Sequence, residues 1–273
     1  MLLSDRLSDT ALSRAVTDFE TDGVACVRQI FTPDEMKTLC EVCTQADAAP
    51  APTLETCEDI LVDGVRRRFY IDQGLVRFSA FERFVLASPA AELAGRLMRA
   101  RSIRYFTDQL IVKEAGTRKE TPWHQDMPYW PVEGRQMCSI WVPVDAVPRS
   151  AGMTFAAGSH RWQAYSPRDF TTGAEFGPRY MPVMQDPESV GATIIGFEMQ
   201  PGDCLVFHAM TAHAAPCNAT AWRRRAFSVR CAGEDVRHRC RPAATQERTV
   251  GRPENDGQLL EPGEFPVIWN SKG

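Results

Sequence analysis

Between Thr121 and Pro131 the chain reads TPWHQDMPYWP, and within it a histidine and an aspartate stand two residues apart, His124 and Asp126. In an extended segment residues i and i+2 point to the same side, so an imidazole and a carboxylate can meet at one point. They would supply two ligands of a 2-His-1-carboxylate facial triad, which binds Fe(II) on one octahedral face and leaves three positions open. The third ligand must be a distant histidine. His208 and His213 are the candidates, both in PGDCLVFHAMTAHAAPCN, where Pro201-Gly202-Asp203 makes a turn and Cys204–His208 an apolar strand leading to either. Of the five histidines, His160 belongs to a Gly-Ser-His-Arg turn and reads as structural, while His238 lies in a charged segment and is expected to be exposed. Tyr129 and Trp130 could line a substrate pocket, although aromatics beside a core strand more often pack. No general-base glutamate stands at a recognisable offset, which counts against zinc-assisted hydrolysis.

The elements that must position these residues follow from patterning. A helix is predicted over 8–20, capped by Ser8 or Asp9, with Leu12, Val16 and Phe19 on one face and Gly23 ending it. Val24–Phe31 alternates as a strand, and Thr32-Pro33-Asp34-Glu35 opens a second helix that carries Met36, Leu39, Cys40 and Cys43. Ala48–Pro52 breaks that helix, and residues 50–65 read as an exposed loop. A third helix is predicted over Ala80–Arg101 from the spacing of Phe84, Val85, Leu93, Ala94 and Leu97. From Ile103 onward short β-like runs recur at 103–113, 137–147, 152–157, 192–199, 203–208 and 224–231, separated by Gly, Pro, Asn and Asp. Many short strands after a helical third predict a mainly β fold with flanking helices (α+β), a sandwich or jelly roll. We expect one domain, with a helical part over 1–101, a β core over 102–235 and a C-terminal extension over 236–273. Lys113 shares a strand face with Gln109 and could touch substrate or be a solvated strand end.

Composition narrows the partners. Thirty-one Lys and Arg against 35 Asp and Glu give a net charge of −4, which disfavours a broad nucleic-acid-binding face. The most apolar window, Gly191–Met199, contains Glu198 and falls far short of the ~20 residues of a membrane span. Asp5, Arg6 and Asp9 break up any secretory signal, and the terminal Asn270-Ser271-Lys272-Gly273 is no peroxisomal address, so a cytoplasmic protein, monomer or homodimer, is expected. Nine cysteines then read as reduced thiols, with Cys40 and Cys43 packing on a helix face rather than doing redox chemistry.

Several of these motifs occur together in a known family. HQDMPYWPV (His124–Val132), the strand with Trp141, AGMTFAAGSHRW (Ala151–Trp162), PGDCLVFH (Pro201–His208) and the spacing from His213 to Arg224 resemble the phytanoyl-CoA dioxygenase family of Fe(II)- and 2-oxoglutarate-dependent oxygenases. The resemblance spans about residues 12–235 and implies a double-stranded β-helix (jelly-roll, cupin-like) core. It selects His213 over His208, making His124, Asp126 and His213 the iron ligands. Arg224 matches the arginine that pairs with the distal carboxylate of 2-oxoglutarate, a role suited to a planar guanidinium with two parallel donors. Strand alternation sends Arg223 and Arg225 to the opposite face. Trp141 and Gln109 match cosubstrate-site positions, and Arg66 or Arg68 could match an upstream basic residue. Ala215 stands where the family often has a Ser that touches the cosubstrate. The implied reaction couples decarboxylation of 2-oxoglutarate by dioxygen to hydroxylation, desaturation or ring closure of a small metabolite; Asp126 argues against halogenation. The competing readings are a cupin-like metal enzyme that uses no 2-oxoglutarate, which Arg224 disfavours, and a silent jelly-roll binding module. Loops at 50–65, 114–121 and 164–190 are expected to shape the pocket mouth.

Overall fold

The structure is a computed structural model that describes residues 3–179, 181–241 and 253–271. The Lys272-Gly273 end and part of the C-terminal extension lie outside the described residues. Helix α1 (Asp9–Asp22) begins where the Ser8 hydroxyl accepts from the Ala11 amide and stops at Gly23, whose φ of 81° is the left-handed conformation that glycine tolerates. Strand β1 (Val24–Val27) is shorter than its alternation suggested. Helix α2 (Pro33–Ala48) opens on a complete capping box, with the Thr32 hydroxyl accepting from the Glu35 amide and the Glu35 carboxylate from the Thr32 amide.

Residues 50–65 are not a loop. Strands β2 (Glu55–Val62) and β3 (Val65–Gln73) form an antiparallel hairpin around Asp63-Gly64, both with positive φ, 50° and 76°. That pair of angles gives the tight turn whose twist matches its flanking strands. The single helix expected over 80–101 is two, α3 (Ser79–Ala87) and α4 (Ala90–Met98), parted at Ser88-Pro89 because proline cannot donate to the helical ladder.

The β core follows as β4 (Ser102–Lys113), β5 (Thr121–His124), β6 (Val132–Glu133), β7 (Met137–Pro143), β8 (Thr154–Ala156), β9 (Ile194–Gly196), β10 (Cys204–His208), β11 (His213–Ala215), β12 (Arg224–Ala232), β13 (Arg237–His238) and β14 (Val267–Asn270). The main sheet runs β1-β10-β7-β12-β4-β3-β2, with β14 also pairing β4; a four-stranded sheet runs β5-β11-β8-β9. The architecture is the expected mainly β jelly roll. His238 is buried rather than exposed, because β13 pairs with β6 and its ring meets Phe265 edge-on.

Both faces of the main sheet are covered, and its strands β7 and β10 are apolar in nearly every position. Ile140, Val142, Val206, Phe227 and Val229 point outward into α2, α3 and α4, where they meet Leu39, Val42, Phe81, Leu93 and Leu97. The alternate residues, Trp141, Leu205, Phe207 and Ala226, point inward and pack with Phe155 of the small sheet. Helices thus back one face, and the opposite face is free to carry chemistry. All nine cysteines are free thiols, with Cys43 buried in the helical layer. Among the described residues no helix is long and apolar enough to cross a membrane.

Candidate active site

His124 is the last residue of β5, and its cross-strand partner is His213, the first residue of β11. The register therefore sets the two imidazoles side by side, their ring centroids 4.1 Å apart. Asp126 is not on the same extended run. Its backbone is helical (φ −71°, ψ −43°) where the chain enters the short turn Met127–Tyr129, and this bend, rather than strand alternation, returns its carboxylate to the histidines. Between them Gln125 points away and anchors the neighbouring loops, donating to the carbonyls of Gln163 and Met210 and accepting from the Tyr165 amide.

Each histidine is held through its other nitrogen. Nδ1 of His124 lies 2.8 Å from the Pro122 carbonyl and Nδ1 of His213 lies 2.9 Å from the Thr211 carbonyl, so both Nδ1 atoms carry the proton and both Nε2 lone pairs are directed elsewhere. Those lone pairs face Oδ1 of Asp126 at 3.6 and 3.8 Å. The other carboxylate oxygen accepts from the Ser139 hydroxyl at 2.8 Å. Burial and the adjacent His124 push His213 down to about 3, leaving it neutral at pH 7. Burial opposes charge on Asp126 as well, but His124, His213 and Arg230 outweigh it and hold the carboxyl below the ordinary range. A carboxylate oxygen facing imidazole lone pairs in a buried site is an arrangement that a cation between them would relieve. The three donor atoms lie within 4.8 Å of one another, and a His-Asp-His set suits a divalent transition metal such as iron.

His208 is elsewhere engaged. Its Nε2 lies 2.8 Å from the Arg135 carbonyl and its Nδ1 accepts from the Met210 amide, so neither nitrogen is available to the cluster.

The cluster opens into a cavity of about 660 Å³. Its back wall is the inner face of the main sheet, read two residues at a time: Phe69, Ile71 and Gln73 from β3, then Thr107, Gln109 and Ile111 from β4. Trp141, Gln109, Tyr129 and Trp130 line the cavity, although Trp130 is also packed against Phe106. Arg224 lies on the same wall, 4% exposed, its guanidinium donating to the Ala151 carbonyl and paired with no carboxylate among the described residues. Burial lowers it only to about 10, so it keeps its charge at pH 7. Arg225 turns outward to Asp145 and Arg223 to Asp47. The strand starts Glu55 (β2) and Thr121 (β5) and the loop residues Arg168, Phe170 and Phe176 line the mouth, where the Tyr129 hydroxyl and the Arg168 backbone exchange two hydrogen bonds of 2.8 Å.

Three sequence expectations are corrected. Arg66 pairs with Asp59 in solvent, and Arg68 lies half-exposed beside Glu114; both alternate away from Phe69, Ile71 and Gln73, so neither reaches the cavity. Lys113 does not touch it either and is no solvated strand end: fully buried, it donates to the carbonyls of Lys119, Ala215 and Pro216 over the Phe69 ring. Ala215 lines the cavity without a hydroxyl, and its cross-strand partner Thr121 brings one to the same wall. Sequence reasoning missed Arg230, which shares the inward face of β12 with Arg224 and Ser228; the alternation Arg224, Ala226, Ser228, Arg230 is the signal that marks it.

The family model described as Phytanoyl-CoA dioxygenase (PhyH) matches residues 19–226. A Caenorhabditis elegans protein named "Probable phytanoyl-CoA dioxygenase" is 25% identical over 131 residues, 47% of this chain and 41% of that protein. The chain thus spans less than half the length of that curated relative. Among solved structures, the non-heme alpha-ketoglutarate-dependent carbocyclase SnoK from nogalamycin biosynthesis superposes with a TM-score of 0.74 at 19% identity, covering 98% of each chain. The epimerase SnoN in complex with Fe3+, alpha-ketoglutarate and nogalamycin RO superposes with a TM-score of 0.73 at 22% identity, over 95% of this chain and 99% of that one. At such identities the superpositions show a shared fold.

Proposed function

The chain belongs to the phytanoyl-CoA dioxygenase family of iron- and 2-oxoglutarate-dependent oxygenases, and from that membership we propose that it hydroxylates, desaturates or cyclises a small cytoplasmic metabolite at an unactivated C–H position. The observation that carries this reading is the pairing, in one buried cavity, of a His124–Asp126–His213 donor set with an Arg224 guanidinium that has no carboxylate partner among the described residues. Iron held by those three residues, with 2-oxoglutarate, supplies the chemistry when bound: dioxygen is reduced as the keto acid loses CO2 to give succinate, and a substrate C–H bond is broken.

The chain's own residues do the rest. The carbonyls of Pro122 and Thr211 fix both imidazole tautomers, and Ser139 fixes the carboxylate. Arg224 binds the distal carboxylate of 2-oxoglutarate by paired charge-assisted hydrogen bonds, with Trp141 packed on the same wall. Phe170 and Tyr129 stand edge-on against His124 at centroid distances of 4.8 and 5.7 Å and keep bulk water from the reacting carbon.

Anaerobic titration of the metal-free protein with Fe(II) and then 2-oxoglutarate tests the reading. A weak visible charge-transfer band of the chelated keto acid is expected. His213→Ala should abolish it and the associated succinate formation, whereas His208→Ala should retain both. No band in the wild-type protein, or the reverse pattern in the variants, would overturn the assignment.

A further inference from the structure

Of the three guanidinium groups that line the cavity among the described residues, Arg224 is assigned to the cosubstrate and Arg168 pairs with Glu175 at the mouth, which leaves Arg230 without a role in the oxygenase reading. It projects from the inward face of β12 and is 6% exposed. A guanidinium carries five N–H donors and no acceptor. Among the described residues one Nη meets Gln109 Oε1 at 2.6 Å, the other has only a 3.5 Å contact to the Ser228 carbonyl of its own strand, and Nε has no partner. Buried charges in native proteins are paired unless a ligand completes them.

The nearby carboxylates are already committed. Asp108 accepts from the amides of Leu75 and Val76 and from the Tyr105 hydroxyl. Asp126 faces the two histidines and accepts from Ser139, and with a metal in place its charge is spent there. Burial lowers the Arg230 pKa, while Asp126, Asp108 and Tyr105 oppose that only through space. The guanidinium lies over Trp130, 5.8 Å from its ring centroid, and Thr107 and Gln109 line the wall beside it. Its cross-strand neighbour is Ser139, which puts it at the level of Asp126, six residues along β12 from Arg224. That is roughly 20 Å of strand at about 3.3 Å per residue. A cavity of about 660 Å³ has room for an organic molecule beside a five-carbon keto diacid held at Arg224.

We propose that Arg230, oriented by Gln109, is a subsite for an anionic oxygen of the organic substrate, a carboxylate or an ionised enol or phenol, and that it sets which carbon faces the metal site. This rests on the oxygenase reading of the cavity. The substrate class is accordingly an organic acid whose reacting carbon lies within a few bonds of the acidic group.

The test is calorimetric and needs no turnover. Zn(II)-loaded protein saturated with 2-oxoglutarate is titrated with benzoate and with its neutral isostere benzamide. The wild-type protein should bind the acid at least ten-fold more tightly than the amide. Arg230→Met should bring that ratio to near one, Arg230→Lys should restore part of it, and Arg224→Met should instead weaken 2-oxoglutarate. Equal binding of acid and amide by the wild-type protein overturns the proposal, as does an acid preference that survives Arg230→Met. So does a loss of 2-oxoglutarate affinity in Arg230→Met as large as that in Arg224→Met, which would assign the arginine to the cosubstrate. Failure of the metal-loaded wild-type protein to bind 2-oxoglutarate would sink the oxygenase reading itself, and this subsite with it.

Discussion

Ser139 stands in an apolar run, MCSIWVP, and nothing in that run marks it as part of the site. Its hydroxyl is fully buried and donates to Oδ2 of Asp126, which leaves Oδ1 to face the histidines. Groups that orient a ligating carboxylate typically contribute 10–100-fold to metal affinity. Ser139→Ala is therefore expected to weaken Fe(II) binding by about one to two orders of magnitude in a chelator competition, with the helical circular dichroism intact; unchanged affinity would mean that the hydroxyl plays no orienting part. At this scale the sequence was readable where two ligand types stand close together, as at His124 and Asp126, although Asp126 reaches the histidines through a helical bend rather than strand alternation. Arg224 was singled out only by the family resemblance. The sequence was unreadable where a residue's role depends on a partner across the fold. Lys113 could be placed on the correct face of β4, but not foreseen beneath Phe69 with three carbonyl acceptors.

Elements were legible in proportion to how local their signals are. The capping box at Thr32 and the glycine stop at Gly23 announce α2 and α1 within four residues. The β2–β3 hairpin is harder to see because β2 is an edge strand whose only buried side chain is Cys57, so its apolar alternation is faint. Its Asp63-Gly64 turn is nonetheless a strong hairpin signature. The split between α3 and α4 was marked by Pro89, but the apolar spacing on either side suggested continuity. Helix α4 also gives a prediction whose sign runs against propensity. Replacing a mid-helix glycine by alanine ordinarily stabilises by up to about 1 kcal/mol. At Gly95 an added Cβ would lie 2.3 Å from the Trp269 ring, which β14 lays across the helix. Gly95→Ala should therefore destabilise by roughly 1–3 kcal/mol in urea unfolding, with partial recovery on adding Trp269→Leu. A stabilised single variant would show that the ring yields freely.

Over the whole molecule, buried neutral histidines tie stability to pH. His160 sits under the α1–β1 junction, where Arg161 donates to the carbonyls of Glu20 and Thr21. Burial, reinforced by His208 and Arg161, pushes its imidazole down to about 4, against an ordinary value of about 6.5. Above about pH 6.5 neither the folded nor the unfolded chain holds that proton, and the folded state keeps its full advantage. As pH falls from about 6.5 toward 4, only the unfolded chain takes it up, so stability declines. The ceiling is about 1.4 kcal/mol per pH unit, and the real slope is smaller because the ring is only about half buried. The metal-free protein should therefore melt at a lower temperature at pH 5 than at pH 7, and His160→Gln should flatten that dependence; identical slopes would exclude His160 as a source.

The strand order has a consequence for synthesis. In the finished sheet Val24 of β1 pairs with Phe207 of β10, and β4 receives β14 from near the other end of the chain. At about 5–20 residues per second on the ribosome, β1 waits roughly 10–40 s for its partner. For that interval an apolar strand with unpaired amides is exposed, a hazard that chaperone binding to the nascent chain would mitigate. The two histidines of the cavity are joined by a separate long-range pairing, β5 with β11, so the capacity to bind metal should arise only after His213 has been made and β11 has docked.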